Sequence, residues 1–207
     1  MTPPNTQPGT ATRSRSDKRG DARRRRIFRS LHDCILAKGY VRTTLADIAG
    51  AAGMTPSHLL YYFKGKEDIL EQYFQTVAER FVERLQDLAE LPLEPQIEAL
   101  ADFWFRGETS NRQEIGFMLE CFGAAVHDEV LRVTKTEFDR HCKGHLNRLF
   151  LLAPHNPSSG TKDAAELAYA SMIGLRSAVY FDDELGLEDA HALFVRTIRQ
   201  MCGLEAS

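Results

Sequence analysis

The stretch TLADIAGAAGMTPSHLLYYFKGKEDIL, residues 44–70, decides the fold. Thr44 opens it with a hydroxyl able to accept a backbone N–H that the first turn of a helix leaves free. Leu45, Ile48, Ala49 and Ala52 recur three and four residues apart and make one apolar face. Gly53 ends that helix, where a left-handed turn is cheap for glycine. Thr55 caps a second helix, and Pro56 suits its first position. Leu59 and Phe63, four apart, form the inner face of the second helix. The pattern predicts helices over 45–52 and 56–63 with a short turn between them. That is the helix-turn-helix arrangement, which lays its second helix in the DNA major groove.

The same window resembles the TetR family of bacterial transcriptional regulators. The pattern T-x-x-x-I-A-x-x-A-G, a short polar helix, then F-x-x-K-E-x-x-L is carried here by Thr44, Ile48, Ala49, Ala52, Gly53, Phe63, Lys66, Glu67 and Leu70. One position departs from the family: its usual tyrosine three residues before the phenylalanine is Leu60 here, with Tyr61 and Tyr62 following. The resemblance covers about the first third of the chain, and the remainder agrees in length and helical character. It implies a homodimer that binds a palindromic operator in double-stranded DNA and answers to a small-molecule effector. A repressor is the form expected.

Working outward, the charge is divided. Residues 1–66 carry 13 Lys and Arg against 4 Asp and Glu, a balance of +9, while the rest carries −12. A basic DNA-reading head on an acidic body has this distribution. Residues 1–19 are rich in Pro, Thr, Ser and Gly without apolar periodicity and are expected to be a disordered basic extension. Residues 20–66 are expected to form the DNA-binding domain, and 67–207 a helical effector-binding and dimerisation domain. The first helix is predicted over 21–38, where Ile27, Leu31, Cys34 and Ile35 trace a face, and it stops at Gly39. Arg23 and Arg24, within the run Arg23 to Arg26, are placed to meet the phosphate backbone.

Beyond the head, a long helix is predicted over 66–88, striped by Ile69, Leu70, Tyr73, Phe74, Val77, Phe81 and Leu85. Pro92 and Pro95 mark the break after it. Five further helices are predicted over 96–107, 113–126, 129–152, 162–182 and 187–202. No segment alternates as a strand does. The fold class is therefore all-α, about nine helices in all. Four scattered cysteines without a C-x-x-C pair point to reduced thiols in a cytoplasmic protein. No run of about eighteen apolar residues is present, so no membrane span is expected.

The expected DNA contacts follow from the faces. With Leu59 and Phe63 turned inward, Pro56, Ser57, His58, Tyr61 and Tyr62 face solvent. Ser57 and His58 lie where a recognition helix reaches base edges, and the tyrosine hydroxyls suit phosphate oxygens. Lys66 and Thr44 stand at helix starts, where free N–H groups favour phosphate.

The resemblance implies an effector pocket in the second block. Phe103, Trp104, Met118, Cys121, Phe122 and Phe138 supply apolar surface there, with His141 and Arg176 as polar anchors. Apolar walls with few polar groups favour a largely apolar effector, although the same residues would fill any core. Glu137, His141 and His145 fall on one predicted helix face, with Cys142 turned away. HCKGH lacks the glutamate of H-E-x-x-H, and neither a metal nor any other cofactor is expected.

Small and apolar residues line the last two helices: Leu167, Ala170, Ser171, Gly174, Leu175 and Ala178, then Phe194, Val195 and Ile198. By resemblance these form the homodimer interface, and two-fold symmetry implies the palindrome. Two other classes compete. An architectural DNA-binding protein would have a filled core and no ligand. An all-α enzyme would use the helix-turn-helix only as structure, but no nucleophile with its base, phosphate loop or spaced carboxylate pair is found. A non-enzymatic regulator is expected.

Overall fold

The computed structural model describes residues 15–107, 110–154 and 160–204. Among the described residues there are nine helices and no strand. They are α1 (Arg15–Lys38), α2 (Leu45–Ala51), α3 (Pro56–Leu59), α4 (Lys66–Leu88), α5 (Leu93–Phe105), α6 (Arg112–Ala125), α7 (Glu129–Leu151), α8 (Thr161–Phe181) and α9 (Leu187–Met201). α1 begins at Arg15, inside the stretch expected to be disordered, and residues 1–14 lie outside the described residues. α5 begins before Pro95 rather than after it, because the first turn of a helix tolerates a residue without an N–H.

Two apolar cores organise the chain. The first joins α1 to α4 around Ile27, Leu31, Ile35, Ile48, Ala49, Leu59, Phe63, Ile69 and Leu70. The second joins α4, α5 and α6 to α7, α8 and α9 around Leu85, Leu100, Trp104, Phe105, Leu146, Phe150, Met172 and Phe194. α4 belongs to both: Ile69 and Leu70 lie in the first core, Leu85 and Leu88 in the second. At about 1.5 Å per residue its 23 residues span roughly 35 Å.

α6 is shared as well, by opposite faces. Phe117, Cys121 and Ala125 pack into the head core, whereas Ile115, Met118 and Leu119 pack into the body. Its other neighbour is close: a Cβ at Gly116 would come within 2.7 Å of the Tyr180 ring on α8. Polar contacts fix the junction. Glu120 on α6 accepts the Tyr40 backbone N–H at 2.9 Å. The His32 imidazole on α1 lies 3.1 Å from the Glu114 carboxylate and 4.6 Å, ring to ring, from Phe117.

Two expectations for the assembly face are corrected. Phe194 and Ile198 are 1% and 0% exposed and belong to the protomer's own core. α9 turns Ala190, His191, Phe194 and Ile198 inward, and this leaves Val195 half-buried at the edge of that face. The α8 stripe does reach the surface: Leu167, Ala170 and Gly174 are exposed, and Ser171, Leu175 and Ala178 are half-buried.

Candidate DNA interface and effector cavity

The head presents its functional side chains because short-range chemistry fixes α2 and α3. Thr44 and Asp47 form a reciprocal cap. The Asp47 N–H donates to the Thr44 hydroxyl at 3.2 Å, and the Thr44 N–H donates to the Asp47 carboxylate at 2.8 Å. The Thr44 hydroxyl also donates to that carboxylate. The Lys38 ammonium, 2.5 Å away, and then the Thr44 hydroxyl and N–H hold the Asp47 carboxyl down at about 2. Gly53 follows α2 with φ +63°, and the Met54 N–H reaches back to the Ala49 carbonyl at 2.9 Å. Thr55 then caps α3 by accepting the His58 N–H at 3.2 Å.

α3 is shorter than its apolar spacing predicts, ending at Leu59 instead of residue 63. Past that point the chain tightens. The Tyr61 N–H goes to the His58 carbonyl and the Tyr62 N–H to the Leu59 carbonyl, both three residues back. The tighter turn still buries Phe63 and leaves Pro56, Ser57, His58, Leu60 and Tyr61 exposed, Tyr61 at 81%. Tyr62 is half-buried. Its hydroxyl receives a hydrogen bond from the Arg23 guanidinium, and its ring stands edge-on to Tyr61 at 5.1 Å. Arg24 lies 5.7 Å from the centre of the Phe63 ring. The α1 arginines and the end of α3 thus share one edge of the head.

Thr44 is exposed at the start of α2, with its hydroxyl engaged by Asp47. The expectation for Lys66 is corrected. Its ammonium donates to the Tyr40 carbonyl at 3.1 Å and sits 4.2 Å from the centre of the Tyr40 ring. That engagement belongs to the junction rather than to an open phosphate site. Lys64, exposed two residues earlier, was not singled out by the sequence. Its position in the K-G-K break between α3 and α4 was the available signal.

In the body, the aromatic residues expected at a pocket mostly pack on one another. Phe81 lies 4.9 Å from Phe103 and 5.7 Å from Phe138, ring to ring, and Trp104 lies 5.1 Å from Phe103. Arg176 is buried beneath this group and donates to the Trp104 carbonyl. Burial lowers its guanidinium to about 10, with Glu114 opposing. Met118 is half-buried against the body core. Phe122 is half-buried with the Lys135 ammonium 4.4 Å above its ring.

Two expected pocket residues are elsewhere. Cys121 faces the head core from the far side of α6. His141 is exposed, whereas Cys142 and His145 are buried. The inward axis of α7 runs through Cys142, His145, Leu146 and Leu149, and at 100° per residue His141 lies roughly a quarter-turn from its centre. The expected orientation of Cys142 is reversed, and Glu137, His141 and His145 do not share an exposed face. Among the described residues no three His, Cys, Asp or Glu side chains converge as metal ligands.

A closed cavity of about 10 Å³ sits in the body core, lined by Leu85, Leu100, Trp104, Cys142, His145, Leu146, Tyr169, Met172 and Phe194. His145 is 1% exposed, and neither ring nitrogen has a hydrogen-bond partner among the described residues. Burial pushes its imidazole down to about 4, helped by the Arg148 charge; the Leu85 carbonyl opposes the shift without reaching hydrogen-bonding geometry. At neutral pH the ring is therefore uncharged, with one donor and one acceptor nitrogen. The Tyr169 hydroxyl donates to Asp139 at 2.5 Å, and the Lys135 ammonium lies 2.7 Å from the same carboxylate. Spacing alone offers His145 only as one of three side chains on a helix face, with Glu137 and His141. A histidine on the inward row of an apolar helix was the signal for a different role.

Comparisons with known proteins fit both halves. Residues 27–73 match the family described as bacterial regulatory proteins of the tetR family. Residues 92–203 match the C-terminal domain described as that of BetI-type transcriptional repressors. Among solved structures, a transcriptional regulator from Pseudomonas aeruginosa PAO1 superposes with a TM-score of 0.76 at 14% identity, over 92% of this chain and 93% of that one. A regulator from Saccharomonospora viridis in complex with choline gives 0.75 at 17%, over 86% and 96%. A complex of SmeT with triclosan gives 0.72 at 18%, over 86% and 90%. These likenesses support the fold, and the two matched domains together span most of the chain. With an N-terminal helix-turn-helix head and a helical body each matched in its expected place, the chain belongs to the TetR family of bacterial transcriptional regulators.

Proposed function

We propose that the protein is a homodimeric repressor that occupies a palindromic operator and leaves it when a small, largely apolar effector binds in the body. The observation that carries this reading is the reach of α4. It starts beneath the DNA-reading edge, with Ile69 and Leu70 in the head core, and ends with Leu85 in the wall of the body cavity. An effector that enlarges the cavity acts on the same rigid rod that positions the head. Its leverage is its differential affinity for the two head placements. The α6 contacts through Glu114 and Glu120 give the body a second hold on α1 and Tyr40.

In the head, Ser57 and His58 read base edges while Tyr61, Arg23 and Arg24 meet the backbone, with Tyr62 oriented by Arg23. Pro56 and Thr44 set the approach of the two helix starts. On the body, the exposed Leu167, Ala170 and Gly174 stripe, flanked by Ser171, Leu175 and Ala178, supports close approach of a second α8. No helix among the described residues is long and apolar enough to cross a membrane, in keeping with action in the cytoplasm. Trapping duplexes from a random library at moderate salt tests the reading. Enrichment of a palindrome by a dimer supports it, and binding without sequence preference contradicts it.

A further inference from the structure

Two open grooves, of about 860 Å³ beside α9 and about 740 Å³ at the head–body junction, are surface features, and among the described residues neither is lined by a buried polar atom that lacks a partner. The body cavity is different. It is small, closed, and contains the side chain of His145 in its wall. Gln96, also buried, keeps one amide bond, donating to the Leu88 carbonyl at 3.0 Å. Among the described residues His145 has none from either nitrogen.

A buried imidazole without partners costs stability that leucine in the same slot would not. The cavity offers little relief within the closed state. At about 10 Å³ it is at the lower limit for one water. A water there would meet mostly Leu85, Leu100, Leu146 and Met172, and the Tyr169 hydroxyl already donates to Asp139. The imidazole is thus set up for a partner that arrives with its own apolar surface.

We propose that His145 is the polar anchor of an effector site that opens from this cavity, and that the site takes an uncharged alcohol or phenol with an apolar body. The inference rests on the reading of the chain as an effector-responsive regulator and names the class of effector. A neutral imidazole offers a donor on one nitrogen and an acceptor on the other, and a hydroxyl, which can either donate or accept, suits whichever of the two faces the cavity. The walls of leucine, methionine, Trp104 and Tyr169 take the apolar body. A permanent cation is disfavoured, because the buried Arg176 guanidinium lies 5.9 Å from the centre of the Trp104 ring that lines the cavity. The aromatic group around Phe81 is filled by its own edge-to-face contacts and leaves no cage for an ammonium. Because the closed cavity cannot hold such a molecule, occupancy separates α7 from α4, the helix that carries Leu85.

The chain has a single tryptophan, Trp104, so its fluorescence reports directly on the site. The full-length protein is titrated with straight-chain primary alcohols from butanol to decanol and with alkyltrimethylammonium ions of matching length. Saturable change is expected with alcohols of at least one length and not with the ammonium ions. His145→Leu is expected to weaken alcohol binding by about tenfold or more, the worth of roughly one hydrogen bond, while its melting temperature rises. A purely structural histidine would instead lower the melting temperature on replacement. His145→Gln, which keeps a donor and an acceptor, is expected to recover part of the affinity. The proposal is overturned by no saturable response to any alcohol, by equal binding in His145→Leu, or by ammonium ions binding as tightly. A protein that selects a palindrome yet ignores alcohols keeps the regulator reading and loses this site. One that binds alcohols through His145 but selects no DNA keeps the site and loses the regulator.

Discussion

The head and the body spend polar residues in opposite ways. In the head, polar groups sit at chain ends and turns, where Thr44, Asp47 and Thr55 satisfy backbone N–H groups and shape a small apolar core. Its exposed face is thereby left with Ser57, His58 and Tyr61 in fixed positions. In the body, polar groups lie inside: Arg176 beneath Trp104, and, beside a closed cavity, His145 with no hydrogen-bond partner among the described residues. The first arrangement builds a rigid reading edge. The second leaves a core that can gain a bond by changing shape. α4 contributes to both cores, and on the proposed reading it lets a change in the body move the head.

This contrast can be broken in several places. The largest expected effect is in the body. Phe194→Ala should cost roughly 3–5 kcal/mol of unfolding free energy, as for a fully enclosed aromatic side chain. Denaturant unfolding measures it, and a large change in dimer dissociation with little loss of protomer stability would return Phe194 to the interface. Next is pH. The His145 imidazole is held at about 4 in the folded protein against an ordinary value near 6.5. The unfolded chain takes up the proton first, so stability is full above pH 6.5 and falls as pH drops towards 4. The loss attributable to this group is about 3 kcal/mol, and His145→Leu should remove that part of the slope.

In the head, replacing Tyr61 and Tyr62 together with alanine should weaken operator binding on the order of a hundredfold, about one decade for each lost contact. Helical content should be retained, since Tyr61 is exposed and Tyr62 only flanks the apolar core. The smallest effect is expected at the cap. Thr44→Ala should lower stability by about 1 kcal/mol. The same change should raise the pKa of Asp47, whose carboxylate loses the Thr44 hydroxyl donor and keeps the backbone N–H of residue 44. An Asp47 that titrates unaltered in the variant would show that Lys38 and the backbone N–H set it without the hydroxyl.

The head was legible because its signals are local. Caps, a glycine turn and apolar residues four apart fix α2, the start of α3 and the start of α4 without reference to distant chain. The tight turn after Leu59 escaped, since apolar spacing of four is kept by Phe63 whether the turn is α-helical or tighter. Helix existence in the body was equally legible, and most boundaries fall within a residue or two. Facing was not. α6 is apolar on two sides because it serves two cores, so Cys121 could not be assigned to the body or the head from spacing. On α7 and α9 the inward direction depends on which neighbour packs there. His141 and Cys142 exchanged places for that reason, and Phe194 and Ile198 went into the protomer core. Lys66 was misassigned because its partner, Tyr40, lies 26 positions away in the chain.

The most direct test of the account is the ratio of affinities for the selected palindrome and for a scrambled duplex of equal length and composition, measured at one physiological salt concentration. A head with a fixed reading edge predicts a ratio of about a thousand or more, retained when the basic extension is shortened and lost when Ser57 and His58 are replaced. A ratio near one, with the same salt dependence for both duplexes, would mean that the head binds phosphate alone and reads no sequence.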